Sequence, residues 1–302
     1  MTHETGVNPD LDQDGPGWDL HCHTVFSDGT MTPAQMVALA GKRGLAGLAI
    51  TDHDTNAGWE MAAQAAEGAG MPLLLGTEIT AEDRNVSVHM LAYLYDSEDK
   101  VITRLFERTR RARLTRTRTM VDRISRDYPI TWTDVLDQVK EGGRTTVGRP
   151  HIADALVGAG VYRDRSEAFA GVCSSSSPYY LPTPSPTTHQ VLKAVKHAGG
   201  VVVIAHPGAT KRNPVLLSDE QIGNLVREGL DGLEVRHRDN PPEERERLLA
   251  LAERWDLLVT GGSDWHGDGK PNELGENRTG APVVERIVRR AYGSRPVGYP
   301  SE

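Results

Sequence analysis

The sequence predicts an α/β protein whose mainly parallel sheet is covered by helices. Short apolar runs alternate with helical segments, which is the strand–helix rhythm of parallel α/β folds. Polar residues follow these runs, at the carboxyl ends of the predicted strands, where barrels and open α/β sheets build their active sites. The chain of 302 residues is long enough for one barrel-sized domain or for a domain with an insert.

The first elements follow a polar, turn-rich tail, which we assign to residues 1–17. The stretch WDLHCHTVFSDG opens as a strand, and Thr32 and Pro33 begin a helix that runs to about Arg43. The runs LAGLAITDHDT, LLLGTEIT and VSVHMLAYLY predict three more strands, with a helix over residues 57–69 after the first of them.

The rhythm changes at about residue 97. Residues 99–127 predict one long arginine-rich helix, residues 132–140 predict a shorter one, and a glycine-rich loop leads into a further helix at GRPHIA. The stretch CSSSSPYYLPTPSPTT reads as a surface loop. This shift predicts a helical insertion, or cap, over residues 97–187, between two parts of the α/β domain at 18–96 and 188–302.

The α/β pattern resumes after the predicted cap. Three strands are predicted at GGVVVIAHPG, DGLEVRHR and LLVTGGSDWHG. Helices are predicted before, between and after them, over residues 188–198, 219–228, 241–255 and 284–291.

Composition excludes several classes of protein. The formal net charge of −8 argues against a protein that coats nucleic acid or binds a membrane surface. The two cysteines exclude a disulfide framework and a cysteine-rich zinc site. The sequence shows neither a signal peptide pattern nor an apolar run of membrane-spanning length, so we expect a cytoplasmic enzyme without membrane contact.

Two histidines in the opening strand are the first candidate metal ligands. His21 and His23 are two residues apart, so both imidazoles leave the same face of a strand. Asp28 follows in a Ser-Asp-Gly turn that brings a carboxylate back over the strand tip. This set suits a divalent metal, although a strand with two hydrogen-bonded histidines would show the same short motif.

More histidines and acidic residues stand at the ends of later strands and at the entry of the GRPHIA helix. They are Asp52, His53, Glu78, His89, His151, His206, Asp264 and His266. Each alone has an ordinary interpretation as a satisfied histidine or a turn cap. Together they would bury charges at a cost of several kcal/mol each unless a cation compensated them. Without thiolate ligands, the set points to Zn, Mn or Fe.

Seven motifs together resemble the PHP (polymerase and histidinol phosphatase) family. They are HCHTVFSDG, ITDHDT, GTEIT, the histidine of VHMLAY, GRPHIA, AHPG and GSDWHG. The resemblance spans Trp18 to Gly267 and implies a distorted (β/α)7 barrel of the PHP type with a trinuclear metal centre. The cap and the GRPHIA helix resemble stand-alone phosphoesterases of this family, which act on 3',5'-nucleoside bisphosphates such as pAp or trim short RNA from the 5' end.

The resemblance implies ligands for two to three divalent ions, Mn, Fe or Zn. One metal would be held by His21, His23, Glu78 and Asp264. A second would share Glu78 and take His89 and His151. A third would lie between Asp28, His53, His206 and His266.

The implied reaction is hydrolysis of a phosphate monoester. Acid–base catalysis by side chains contributes only about 10²–10⁴-fold, so metal ions must supply most of the acceleration. We expect a metal-activated hydroxide to attack phosphorus in line. Asp52 would orient a ligand or the attacking water, and His237 or a metal-bound water would give the leaving oxygen its proton.

A bisphosphate needs a site for its second phosphate, and arginine suits that purpose. Arg149, just before His151, is the first candidate. Arg110 and Arg113 lie one helical turn apart and could converge on the same phosphate, and Lys211 and Arg212 are secondary candidates. For most arginines of the long helix, the simpler interpretation is a solvated face with salt bridges.

Several functions stay open beside a bisphosphate phosphatase with a small phosphorylated nucleotide as its partner. A 5'-3' exonuclease on short RNA and a histidinol-phosphate phosphatase are close alternatives. A non-catalytic metal-binding subunit and a hydrolase of amide bonds are more distant ones. The sequence leaves the oligomeric state open.

Overall fold

A seven-stranded sheet runs through the computed structural model, which describes residues 16–141 and 144–299. The strands lie side by side in chain order. They are β1 (Trp18–Asp19), β2 (Gly47–Ile50), β3 (Leu73–Asp83), β4 (Val86–Tyr93), β5 (Val201–Ile204), β6 (Gly232–Arg236) and β7 (Leu258–Gly261). Of the predicted N-terminal tail, residues 1–15 lie outside the described residues.

Helices flank the sheet and fill the segment between β4 and β5. They are α1 (Pro33–Lys42), α2 (Trp59–Ala69), α3 (Lys100–Ile124), α4 (Trp132–Leu136), α5 (Arg149–Gly158), α6 (Arg165–Ala170), α7 (Thr188–His197), α8 (Asp219–Arg227), α9 (Pro242–Trp255) and α10 (Ala281–Arg290). As predicted, Thr32 caps α1 and Pro33 occupies its first turn. No helix among the described residues is long and apolar enough to cross a membrane.

One strand runs against the others. β4 pairs antiparallel with both β3 and β5, whereas the remaining neighbours are parallel. The cause is the tight turn at Arg84 and Asn85, where both residues have positive φ, 46° and 69°. Because β4 is reversed, its amino-terminal half lies beside the carboxyl ends of its neighbours. His89, opposite Thr80, therefore reaches the same end of the sheet as the other candidate ligands.

The first and last strands meet and nearly close the sheet. The His23 N–H donates to Trp265 O at 2.8 Å, and the Trp265 N–H donates to His21 O at 3.2 Å. Buried Asp19 accepts the Ser263 N–H at 2.9 Å and the Gly275 N–H at 2.7 Å, which ties β1 to the chain after β7. The predicted seven-stranded α/β barrel is confirmed, and the reversed β4 is its distortion.

The segment between β4 and β5 builds a hydrophobic cluster of its own. Side chains of α3, α4 and α5, among them Met120, Val135 and Leu156, are buried together. The structure differs from the sequence prediction in two helices. The predicted helix over residues 132–140 ends at Leu136, where the chain turns and the Val139 N–H donates to Leu136 O. Helix α6 was not predicted.

Candidate metal centre

Glu78, buried near the middle of β3, lies at the centre of the candidate site. Its Oε2 lies 3.2 Å from His21 Nε2, 3.1 Å from His23 Nε2 and 3.2 Å from His53 Nδ1. The contact with both His21 and His23 confirms that the i, i+2 pair presents its imidazoles on one face. One carboxylate oxygen therefore faces three imidazoles from two different strand ends.

The other oxygen of Glu78 faces the reversed strand. Glu78 Oε1 lies 2.7 Å from His89 Nδ1 and 3.2 Å from His206 Nε2. The rings of His89 and His206 are 5.4 Å apart between centroids. Glu78 is thus placed to be shared between neighbouring cation positions, as the resemblance implies.

Two further carboxylates complete the cluster. Asp264 Oδ1 lies 3.5 Å from His21 Nε2 and 3.3 Å from His23 Nε2. Asp28 Oδ1 lies 3.2 Å from His266 Nε2 on the opposite side of the cluster. Asp264 has a positive φ of 52°, which Asp tolerates better than most residues, so the turn after β7 can direct this carboxylate inward.

Three groups of side chains have ligand atoms that all lie within 4.8 Å of one another. Those found among the described residues are His21–His23–Glu78–Asp264, His23–Asp28–His53–His266 and His53–Glu78–His89. The first is the set expected for one metal. In the second group, His23 stands where the resemblance implies His206. In the third group, His53 stands where the resemblance implies His151. Ligation by His206 and His151 stays a prediction.

Several buried ligand atoms in the cluster have no hydrogen-bond partner. They are His21 Nε2, His23 Nε2, Asp28 Oδ1, His53 Nδ1, Glu78 Oε2 and His266 Nε2. An unsatisfied buried polar atom costs about 1–3 kcal/mol, so a set this large needs a common partner. Imidazole nitrogens and carboxylate oxygens without thiolates suit Mn, Fe or Zn. The residues present fit divalent metal ions.

The electrostatics of the cluster also demand positive charge. Burial raises the pKa of Asp264, but Lys270 and Arg212 outweigh it and hold this pKa well below its usual range. Burial lowers the pKa of His206 to about 3 and that of His266 to about 4, so both rings are neutral near pH 7. Burial also lowers the pKa of His23, but Asp264 and Glu78 raise it to about 9.

The two candidate catalytic residues lie beside the cluster. Asp52 accepts the Thr24 N–H at 2.7 Å, the Thr24 hydroxyl at 2.6 Å and the Ser27 hydroxyl at 2.6 Å, and so holds the loop that follows His23. His237 is buried with Nε2 4.0 Å from Asp264 Oδ2. Its Nδ1 accepts the Asp239 N–H at 3.1 Å. His237 therefore carries its proton on Nε2 when it is neutral.

His151 lies next to the cluster. It is buried at the start of α5, where its Nδ1 accepts the Gly148 N–H at 3.2 Å. It also lines a cavity of about 360 Å³ with Ser27, Asp154 and Arg165. His151 thus lies in the wall of a cavity between the loop after β1 and the cap helices.

Three arginines of the cap gather on one side of the site. Arg113 donates to Asp54 Oδ2 at 2.8 Å and to Thr80 Oγ1 at 2.9 Å. Arg116 is buried over the Tyr180 ring, and Arg149 stacks on that ring from 5.3 Å. Burial, then Arg149, lowers the pKa of Arg116 to about 10.

The other basic residues predicted to bind substrate are Arg110, Arg212 and Lys211, and each has a different environment. Arg110 is half-buried one turn before Arg113, and burial lowers its pKa. Arg212 donates to Asp264 Oδ2 and to Asp239, each at 2.6 Å. Lys211 is exposed. Arg212 thus contacts a candidate ligand directly.

Sequence reasoning missed three residues of the site. Glu234 lies 3.0 Å from His21 Nδ1, Lys270 donates to Asp264 Oδ2 at 2.8 Å, and Arg116 joins the arginine group. Glu234 carried a usable signal, because it is an acidic residue inside the short apolar run DGLEV. The sequence around Lys270 and Arg116 contains no signal that distinguishes these two residues from surface cations.

Comparisons with known proteins agree with this geometry. A model of the PHP domain family matches residues 19–150. A 3',5'-nucleoside bisphosphate phosphatase of Chromobacterium violaceum is 28% identical over 90% of this chain and 95% of that protein. A 5'-3' exoribonuclease Rnm of Salmonella typhimurium is 30% identical, over 82% of this chain and 85% of the relative.

Two further proteins extend the comparison. A phosphoribosyl 1,2-cyclic phosphate 1,2-diphosphodiesterase of Eggerthella lenta is 31% identical over 82% of this chain and 94% of that protein. A solved structure from Bifidobacterium adolescentis, described as a metal-dependent phosphoesterase, superposes with a TM-score of 0.91 at 64% identity. The superposition covers 91% of this chain and 96% of the other.

Proposed function

Because the chain belongs to the PHP domain family and is a metal-dependent phosphoesterase, we propose that it removes the 3'-phosphate of a 3',5'-nucleoside bisphosphate. One observation carries the proposal. Buried imidazoles and carboxylates whose ligand atoms lack partners lie beside Arg113, and Arg113 neighbours Arg116 and Arg149, which have no carboxylate partner among the described residues. A substrate with two phosphates satisfies both regions at once, whereas a monophosphate satisfies only one.

The two regions are adjacent because cap arginines contact, or stand near in sequence to, candidate metal ligands and their neighbours. Arg113 contacts Asp54, the neighbour of His53, and Thr80, which pairs across the hairpin with His89. Arg149 stands two residues before His151. We infer that the barrel, residues 18–96 and 188–302, holds the reacting phosphate and that the cap, residues 97–187, holds the other one.

In this proposal the chain contributes position and charge. Two to three divalent ions, Mn, Fe or Zn, would be held by the three ligand groups together with His206 and His151. When bound, such ions stabilise charge on phosphoryl oxygens and lower the pKa of water. Asp52 fixes the loop after His23, and the Nε2 proton of His237 can hydrogen-bond a phosphoryl or leaving oxygen. Arg149 and Arg116 hold the distal phosphate in place.

The Salmonella relative supports a second candidate function, 5'-3' hydrolysis of short RNA. A 5'-phosphorylated RNA would offer a terminal phosphate to the arginines and a diester to the metal site. The net charge of −8 disfavours long nucleic acid, because such binding depends on many phosphate contacts.

Phosphate release and product analysis with Mn²⁺ test the proposal. We would compare adenosine 3',5'-bisphosphate, histidinol phosphate, a 5'-phosphorylated RNA trimer and phosphoribosyl 1,2-cyclic phosphate. We expect the bisphosphate to have the highest kcat/KM of the four. Its advantage over histidinol phosphate, which lacks a second phosphate, should be at least about 10-fold, which corresponds to roughly 1.4 kcal/mol from the distal phosphate. Equal or faster turnover of any other substrate would overturn the assignment. EDTA should abolish every activity.

A further inference from the structure

Glu234 is a buried carboxylate in β6 that belongs to none of the three ligand groups of the described residues. Its two oxygens face two different strand ends. Oε1 lies 3.0 Å from His21 Nδ1, at the end of β1, and Oε2 accepts the His206 N–H at 2.8 Å, at the end of β5. One side chain therefore connects two candidate metal ligands from behind.

We propose that Glu234 is a positioning residue that fixes which nitrogen of His21 is presented to the metal. A carboxylate only accepts hydrogen bonds, so when a metal ion takes the lone pair on Nε2, the proton of His21 stays on Nδ1, where Glu234 accepts it. That Nε2 atom is the one directed at Glu78 Oε2, 3.2 Å away, and at Asp264 Oδ1, 3.5 Å away. A carboxylate behind a ligating histidine also raises the basicity of the ring.

The second contact of Glu234 explains why a carboxylate is needed rather than an amide. The His206 main chain can only donate, and His21 must donate from Nδ1 if its Nε2 is to bind metal. Glutamine has one accepting oxygen and one donating NH2, so one of the two oxygen positions would carry a donor. An amide oxygen at the Oε1 position would leave the His206 N–H without its acceptor. An amide oxygen at the Oε2 position would accept the His206 N–H and lie 3.3 Å from His21 Nδ1, but the NH2 would then face Nδ1 from 3.0 Å and favour the tautomer with its proton on Nε2.

The surroundings of Glu234 are built to hold it in this place. The Asn240 side chain donates to the Glu234 carbonyl at 2.9 Å and to the Val235 carbonyl at 3.0 Å. A Cβ on Gly262 would lie 2.6 Å from Glu234 Oε1 and 2.4 Å from His21 Cβ, so only glycine allows the approach. His206 has a positive φ of 32°, an uncommon conformation that the bond to Glu234 secures.

The inference concerns the metal centre alone and holds whichever phosphate ester is the substrate. The first test is the Mn²⁺ affinity of the Glu234→Gln variant, measured by competition with a fluorescent chelator. We expect an affinity about 10- to 100-fold below wild type. The matched control is Asp231→Asn at the opposite end of β6, because Asp231 is also buried and accepts the Val202 N–H at 2.9 Å. We expect its Mn²⁺ affinity to stay within threefold of wild type.

The second test measures the wild-type protein, and a variant serves only to assign one signal. In the Zn²⁺-loaded wild-type protein, labelled with ¹⁵N-histidine, the His21 ring should carry its proton on Nδ1, with that proton shifted downfield by the carboxylate. The His21 signal is assigned by its loss in His21→Gln. A proton on Nε2 of His21 would overturn the proposal. So would a folded Glu234→Gln protein that binds Mn²⁺ within threefold of wild type. Because neither readout is turnover, a failure of the bisphosphate assay leaves both tests intact.

Discussion

The barrel mouth, where the candidate ligands His21, His23, Glu78 and Asp264 lie, and the cap, residues 97–187, have opposite charge requirements. At the barrel mouth, buried ligand atoms lack partners, and Asp264 and Glu78 raise the pKa of His23 to about 9 despite its burial. In the cap, burial and the neighbouring Arg149 lower the pKa of Arg116 to about 10. The first region favours cations and the second favours an anion. Under the proposed function, the substrate is a ligand common to both regions, and a motif from one region alone does not reveal it.

The largest effect should come from removing the shared carboxylate of the barrel mouth. Glu78→Gln takes one anionic ligand from positions that share it, so we expect kcat/KM to fall about 1,000-fold or more and bound metal to be lost. Metal analysis after gel filtration and phosphate release measure both. Glu82→Gln is the control, because Glu82 lies on the same strand but is exposed. A Glu78→Gln enzyme with full metal content and activity would contradict the account.

The second prediction concerns the ion pair between Asp54 of the barrel and Arg113 of the cap. Asp54 is fully buried and pairs with Arg113 at 2.8 Å, so it joins the barrel to the cap. Asp54→Asn keeps the shape and suits the positive φ of 52°, but leaves the Arg113 charge uncompensated beside Arg116. We expect the free energy of unfolding to fall by about 3 kcal/mol. Urea denaturation measures it.

Asp256 provides a matched control for this prediction. It also has a positive φ, 48°, and pairs with Arg286 at 2.8 Å, but its side chain is 86% exposed. Exposed ion pairs contribute roughly 0–1 kcal/mol, so Asp256→Asn should be nearly neutral. Equal losses in the two variants would show that the Asp54 pair does not join the regions.

The third prediction concerns the anion site of the cap. Arg149→Ala should raise KM for adenosine 3',5'-bisphosphate roughly 10- to 100-fold, because a charge-assisted hydrogen bond is lost. The KM for adenosine 3'-monophosphate should not change, since it lacks the distal phosphate. Arg118→Ala, an exposed arginine on α3 that stacks on Trp132, should leave both values as they are. An equal rise of KM for both substrates in Arg149→Ala would mean that Arg149 does not read the second phosphate.

The smallest effect concerns the loop after His23. Ser27 donates to Asp52 at 2.6 Å and lies 3.4 Å from His23 Nδ1. Ser27→Ala should cost about 1 kcal/mol of stability and only a few-fold in kcat, since Thr24 still holds Asp52 with two hydrogen bonds. Thermal unfolding and steady-state kinetics check this. A loss of activity close to that of Glu78→Gln would instead give Ser27 a direct part in the reaction.

Local patterns in the sequence predicted much of the fold and of the barrel mouth. The strand periodicity placed His21 and His23 on one face. The polar residues at the ends of the apolar runs located Glu78 and Asp264, although β3 continues to Asp83 and Glu78 lies near its middle. The direction of β4 was not predicted, because it depends on the turn at Arg84 and Asn85 rather than on the apolar pattern. The Glu234–His21 and Arg113–Asp54 pairs were not predicted either. They join residues 213 and 59 positions apart, and only the nearly closed barrel and the packed cap bring these together.

The central claim is that the buried histidines and carboxylates form one cation-binding cluster. Crystals grown with Mn²⁺ and examined by anomalous diffraction test it most directly. We predict at least two anomalous peaks among Glu78, His23 and Asp28, which chelator treatment removes. Active protein whose crystals show no anomalous density among these side chains, or show it only elsewhere, would contradict the account.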